Sequence, residues 1–562
     1  MSRHVRWQAI LAILGLLLII SLLGYATYTY TSQEVPARGG VYIEGVAGNP
    51  RYINPVLCQY NQVDRDLCAL VFEGLLRFDE RGDLQPGLAE SWEVSPASDV
   101  FTFTLRPDAR WHDGLRVTTE DVRFTVELMQ DPDLQVLPDL AVLWRSVIAT
   151  PIDDRVITFQ LSEPYAPFPD YTASRWFGVV PKHYWERYRP RELAEAQLNT
   201  QPIGSGPFRV TEIDSQHVRL EPVLREFEQP PYLDALEFRF FPDYPSILTA
   251  AGAGEVHGVS RVLPEQLSQA ESMPDLQLFT SPLPGYTLVL FNLDSENAPF
   301  LADQAVRQAL AYGIDRERLL RDDIPGVGMI ANSPILPESW AYNPDIPTYD
   351  YDPEKARAML EEAGWRDENN DGIREKDGQP LELILLSDDA PHSLLVNQAI
   401  TADWARIGVR AVSQPVSFTG LVSDFLVPRR FSAAIVNWET IGDPDPYPLW
   451  SSSQISPEGQ NYGGWNNREA DIAMEQARIT ADREQRRQYY LDFQRIFAED
   501  VPAIMLYHPL YTYAASTAVN NMEVGRLNEP SDRFRTFANW YTLTRKVTQT
   551  ERRTLEFDNL ER

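Results

Sequence analysis

The stretch "FTFTLRPDARWHDG", Phe101 to Gly114, sets Arg110, Trp111, His112 and Asp113 side by side ahead of a glycine. A base next to a carboxylate and an aromatic wall suits an active site, but it also suits the end of a strand. Phe101, Phe103 and Leu105 alternate with Thr102 and Thr104, which predicts a strand with one buried face. "RPDA" is a turn with proline and aspartate in favoured roles, and Asp113-Gly114 is a second turn signal. In "VTTEDVRFTVELM", Thr118 can cap a helix, and Asp121 three residues on completes a capping-box pattern. Val122, Thr125, Val126 and Met129 then share one helical face. No nucleophile and no second metal ligand lies within sequence reach of His112. The stretch reads as scaffold: strand, turn, helix.

The same logic organises the rest. "YDPEKARAMLEEAGW" has Asp352 as N-cap, Pro353 at the first helical position and Glu354 in the first turn. Ala356, Met359, Leu360 and Ala363 form its apolar stripe, and Gly364 ends it. "FLADQAVRQALAYGIDRERLL" repeats the pattern with Val306, Leu310 and Ile314, and Asp315 caps a second helix. "YTLVLFNL", Tyr286 to Leu293, is a buried strand entering this helical region and a candidate crossover between domains. Strands and helices alternate irregularly between prolines, which gives an α/β class. At 562 residues the chain exceeds one core.

From Trp7 to Gln33 no residue is charged. A helix from Trp7 to Tyr30 would be about 36 Å long, enough to cross roughly 30 Å of hydrocarbon with some tilt. Arg3 and Arg6 precede it, so the charge bias keeps the N-terminus cytoplasmic and sends the bulk outside. The competing reading is a secretory signal, with Gly24-Tyr25-Ala26 as a small-x-small cleavage site. Either way the bulk is extracytoplasmic. The two cysteines, Cys58 and Cys68, are then a disulfide candidate worth roughly 2–3 kcal/mol, the alternative being two buried free thiols. The tail over residues 546–562 is charged and expected to be flexible.

The net charge of -31, with no local basic stripe, argues against nucleic acid as a partner. None of the seven histidines pairs at i, i+4, and there is no nucleophile elbow or phosphate-binding P-loop. No catalytic residue, resident metal or cofactor is expected. "PIGSGPF", with Gly204, Ser205 and Gly206, reads as a rigid connector. "RDENNDGIREKDG" matches half of a calcium loop through Asp367, Asn369, Asp371 and Gly372, but the twelfth position is Gly378, so a polar turn is expected. Aromatics concentrate in loops: Trp438, Tyr447 and Trp450 around Asp443 and Asp445, then Tyr462 and Trp465. Stacking area beside acids and amides suits a ligand cleft.

Taken in order, "YINPVL", "VFEGLLRFDERGDLQPGLAESWEVS", the opening stretch, "PIGSGPFRV", "LFNLDSENAPFLADQAVRQALAYGIDRERLL", "YDPEKARAMLEEAGW" and "GDPDPYPLW" closely resemble the peptide-type (family 5) solute-binding proteins of ABC importers, the dipeptide-, oligopeptide- and nickel-binding group. The resemblance runs roughly from Gly39 to Trp540. It implies a two-lobed periplasmic-binding-protein-like fold, the large three-subdomain form of type II, with two hinge crossovers, behind the N-terminal segment of residues 1–33. The base of lobe I would comprise residues 34–75, 202–284 and 516–545, with 76–201 inserted into it and 285–515 forming lobe II. The resemblance further implies a monomer that closes on a solute, most readily a peptide, and delivers it to membrane permease subunits. Those would be driven by a separate ATPase, since no ATP-binding loop is present here. The ligand-binding residues expected are Tyr60, Tyr286, Asn292, Trp438, Glu439, Asp443, Asp445 and Trp465. Peptide-binding relatives carry an aspartate for the ligand's amine between the tryptophan and the Asp-Pro-Asp. Here that interval is Glu439-Thr440-Ile441-Gly442, so Glu439 or Asp443 would have to substitute. Alternatives are a ligand sensor feeding a receptor, a binder of oligosaccharide or metal chelate, and, more remotely, a hydrolase.

Overall fold

The computed structural model describes residues 7, 11–22 and 32–548, apart from 80, 135, 175, 227, 228 and 441. The tail beyond Thr548 and Ile441 therefore fall outside the described residues, as do residues 8–10 and 23–30 of the expected anchor from Trp7 to Tyr30. Residues 11–22 are helical, and among the described residues no helix is long and apolar enough to cross a membrane.

The opening stretch folds as its pattern dictates. Val100–Leu105 lies inside a four-stranded antiparallel sheet, between Ala89–Val94 and Val156–Leu161, with Val147–Pro151 at the edge. Phe101, Phe103 and Leu105 are fully buried and the threonines between them are not. Helix Thr119–Gln130 opens with the Asp121 carboxylate accepting the Thr118 backbone N–H at 2.9 Å. Around these elements one core gathers Trp111, Trp144 and Trp185, and Trp144 stacks on Phe177 at 4.4 Å. His112 is structural. Its Nδ1 accepts the Gly204 N–H at 3.2 Å, which leaves Nε2 to donate to the Gly206 carbonyl at 3.0 Å. Burial lowers its pKa, so the ring stays neutral. A Cβ on Gly204 would meet the Val71 carbonyl oxygen at 1.8 Å, so "PIGSGPF" is a close-packed connector.

The rest of the chain is organised by a twelve-stranded sheet. Its path runs Arg410–Val416, Glu382–Asp388, Ala433–Glu439, Gly285–Phe291, Ala503–Ser516, Gly258–Val262, Val41–Ala47, Ala235–Phe241, His217–Pro222, Phe208–Ile213. Ala503–Ser516 is the pivot. Its first half pairs with Gly285–Phe291 and Gly328–Ile330, and its second half pairs with Leu276–Pro282 and Gly258–Val262. Two separate bodies of packing result. Tyr42, Leu67, Phe238 and Trp540 belong to a core on the early and late chain. Gly285–Phe291, buried along its whole length, instead puts Val289 and Phe291 into one core and Tyr286, Leu288 and Leu290 into another. A strand covered on both faces has to be apolar throughout, which is why it reads as a continuous hydrophobic run.

Two expectations need correction. Cys58 and Cys68 are free thiols, not a disulfide. Each finds a carbonyl acceptor of its own, Pro55 at 3.6 Å and Tyr52 at 3.8 Å, and burial pushes the Cys68 thiol up so that it stays protonated. The expected flexible tail begins too early: Leu543–Thr548 is a strand paired antiparallel with Ser32–Ala37, with Val547 buried.

Candidate ligand cleft

Between the two bodies lies a cleft of about 1100 Å³. The crossovers form its floor. Leu276–Pro282 passes into Gly285–Phe291 through Leu283 and Pro284, and the Leu283 N–H donates to the Pro509 carbonyl of the second crossover at 3.0 Å. Buried His508 secures the join by bonding the Gly285 carbonyl through Nδ1 at 2.8 Å, and burial lowers its pKa. One wall comes from the first lobe, with Arg65, Asp66, Arg261 and Leu263. The other comes from the second, with Tyr286, Asn437, Trp438 and Glu439. Among the described residues, none from 76–201 lines it.

Tyr286, Trp438 and Glu439 are the expected site residues that the fold brings together. They meet because Gly285–Phe291 pairs with Ala433–Glu439 in register, Tyr286 opposite Trp438 and Gly285 opposite Glu439. Tyr286 is buried, its hydroxyl receives the Trp450 indole N–H at 3.4 Å, and burial pushes its pKa up. Trp438 is half-buried and Glu439 exposed.

The other five sit elsewhere. Tyr60, 66% exposed, points outward from the turn Cys58–Tyr60, whose other two residues take the buried side. Asn292 is a tie, donating to the Arg429 carbonyl at 3.0 Å and the Phe431 carbonyl at 2.9 Å. Trp465 is core, its indole donating to Asp500 at 3.1 Å. Asp443 is buried and holds Arg486 at 2.6 Å and the Tyr490 hydroxyl at 2.8 Å. Asp445 holds Arg478 at 3.0 Å and accepts from the Tyr165 hydroxyl of the inserted segment at 3.4 Å. The Asp-Pro-Asp element thus fastens second-lobe helices to the insert. Of the carboxylates in that segment, Glu439 is the one lining the cleft.

Sequence reasoning missed the first-lobe wall. Arg261 interrupts the otherwise buried strand Gly258–Val262 and stands exposed in the cleft, a departure that was legible as a charge within an apolar strand. Arg65 also lines the cleft, held by the Gln59 carbonyl at 3.0 Å. It carried no signal of its own. Beneath this wall Arg533, wholly buried, bridges Glu44 at 2.9 Å and Asp66 at 2.6 Å. Tyr42 and Tyr513 both donate to Glu44, and burial raises the pKa of that carboxyl despite Arg533. Away from the cleft, the half calcium loop brings Asp367, Asp371 and Glu375 to within 4.8 Å of one another at the surface, so its third acid is Glu375 and not a twelfth-position residue.

Comparison with known proteins agrees with this architecture. Residues 83–459 match the family described as bacterial extracellular solute-binding proteins, family 5 Middle. The oligopeptide-binding protein AppA of Bacillus subtilis (strain 168) is 30% identical, the match covering 85% of this chain and 88% of the relative. The solved structure of AppA from Bacillus subtilis in complex with a nonapeptide superposes with a TM-score of 0.68 at 28% identity, covering 90% of this chain and 99% of the other. NikZ from Campylobacter jejuni in complex with Ni(L-His) superposes at 0.69 with 26% identity, covering 89% and 99%. With two bodies of packing joined by two crossovers around one cleft, the chain belongs to the family 5 bacterial extracellular solute-binding proteins.

Proposed function

We propose that the chain captures a peptide between its lobes and hands it to the permease subunits of an ABC importer. The observation that carries this reading is the charge arrangement of the cleft. Arg65 and Arg261 line it from the first lobe, with Glu265 beside them, and Glu439 and Asp323 line it from the second, so a zwitterion bridging the walls sets its carboxylate toward the arginines and its amine toward Glu439. A ligand that makes its full set of contacts only across a closed crevice shifts the population toward closure. Closure excludes water and strengthens the remaining charge contacts. Relatives named for oligopeptide and dipeptide binding support the class of solute.

On this reading lobe I is residues 34–75, 202–284 and 516–545 with 76–201 inserted, and lobe II is 285–515. The chain acts as a monomer outside the cytoplasmic membrane, held there by the segment from Trp7, and binds its solute without altering it. Native mass spectrometry of the full-length chain identifies the solute that it retains; a peptide is expected, and a sugar or a metal chelate would overturn the reading. Trp438→Ala is expected to weaken peptide binding by about 0.5–2 kcal/mol in calorimetry, with the melting temperature unchanged. A mature N-terminus near Ala26 would remove the anchor.

A further inference from the structure

Phe418 is 65% and Leu395 45% exposed, yet both line the cleft. Leu395 lies on helix Pro391–Ala405, one turn beyond His392, and Phe418 opens the turn after strand Arg410–Val416. Leu263 and Pro264 of the first lobe line the same cleft. Apolar surface facing water gains free energy when it is covered. In a cleft between hinged lobes, the group that covers it arrives with the ligand.

The backbone around this wall is unusual as well. Two π-helical turns occur among the described residues, Leu319–Asp323 and Leu421–Leu426. The first ends in Asp323, which lines the cleft, and the second follows directly on the turn that carries Phe418. Such turns give up hydrogen-bond geometry and recur where side-chain placement matters more than helix regularity.

We propose that Phe418 and Leu395 form an apolar subsite that selects peptides carrying an aliphatic or aromatic side chain. This inference rests on the peptide reading and names the substrate class within it. The ends of a zwitterion are met by the arginines of one wall and Glu439 of the other, which leaves the Phe418 face for the side chains between them.

The test is calorimetry of the full-length chain and of Phe418→Ala, with trileucine and triglycine as probes and the melting temperature as a folding control. Wild type is expected to bind trileucine at least about tenfold more tightly than triglycine. Phe418→Ala should lose most of that preference while its triglycine affinity stays put, and Phe418→Leu should recover it. Equal affinities of the wild type for the two peptides overturn the subsite and leave the peptide reading standing. So does an equal loss on both peptides in Phe418→Ala, or no loss on either. Silence of the wild type toward both peptides overturns the peptide reading, and the subsite falls with it.

Discussion

Two clusters of buried charge hold the molecule together, and they differ in what they join. Arg533, Glu44 and Asp66 all belong to the first lobe, with side chains between 0% and 2% exposed. They tie the late turn Pro530–Phe534 to strand Val41–Ala47 and helix Gln62–Val71 beneath the cleft wall. Arg478, Arg486, Asp443 and Asp445 belong to the second lobe but reach out of it. Arg478, with its guanidinium 4.7 Å from the Tyr165 ring, also lends its backbone carbonyl to the Ala166 N–H at 2.6 Å. Asp83 pairs with Arg483 across the same boundary. The first cluster has no freedom to separate and acts as construction. The second joins helices Arg468–Ile479 and Arg483–Asp500 to Asp83, Tyr165 and Ala166, so a shift of those helices against that segment has to break or rebuild it.

Breaking the first cluster should have the largest effect. Arg533→Met leaves Glu44 and Asp66 buried without a partner and should cost about 3–5 kcal/mol in denaturant unfolding. A loss below about 1 kcal/mol would mean that water takes the place of the guanidinium between the two carboxyls. Breaking the second should cost less but change shape. Arg478→Ala should destabilise by about 1–3 kcal/mol, since Asp445 loses its charge partner. It should also raise the radius of gyration of the unliganded chain in small-angle scattering. An unchanged scattering curve would make the contact incidental to lobe position.

The subtlest difference is in pH. Asp170 of the insert is pushed up to about 8, first by burial and then by the Asp443 carboxylate, with Arg486 and Arg483 pulling the other way. The folded state therefore keeps a proton that the unfolded chain releases near about 4. Stability falls as pH rises from about 4 through about 8, because across that window the unfolded state binds fewer protons. Asp170→Asn should flatten this slope in thermal melts between about pH 5 and 8. A slope that survives the substitution would assign it to other groups.

The sequence was most legible where one local rule sufficed. The alternation at Phe101–Leu105, the caps at Thr118, Asp352 and Asp315, and the uninterrupted run at Gly285–Phe291 each specify an element without knowledge of its neighbours. The cleft was less legible because its walls come from segments far apart in sequence, and a side chain type does not say which way it points. Trp438 and Trp465 both read as loop aromatics beside polar groups. One lines the cleft and the other donates to Asp500 inside a core. Asp443 and Glu439 both read as candidate amine acceptors, and the difference between them is that helix Arg483–Asp500 brings Arg486 and Tyr490 against only one.

Strand Ala503–Ser516 sits at the middle of the large sheet, yet it is supplied by the last tenth or so of the chain. Neither half can close its hydrogen-bond ladder until that segment has been made, and Arg533 arrives later still. The four-stranded sheet of Ala89–Val94, Val100–Leu105, Val147–Pro151 and Val156–Leu161 needs nothing from this segment, whereas the two halves of the large sheet are joined only once it is present, in one late step.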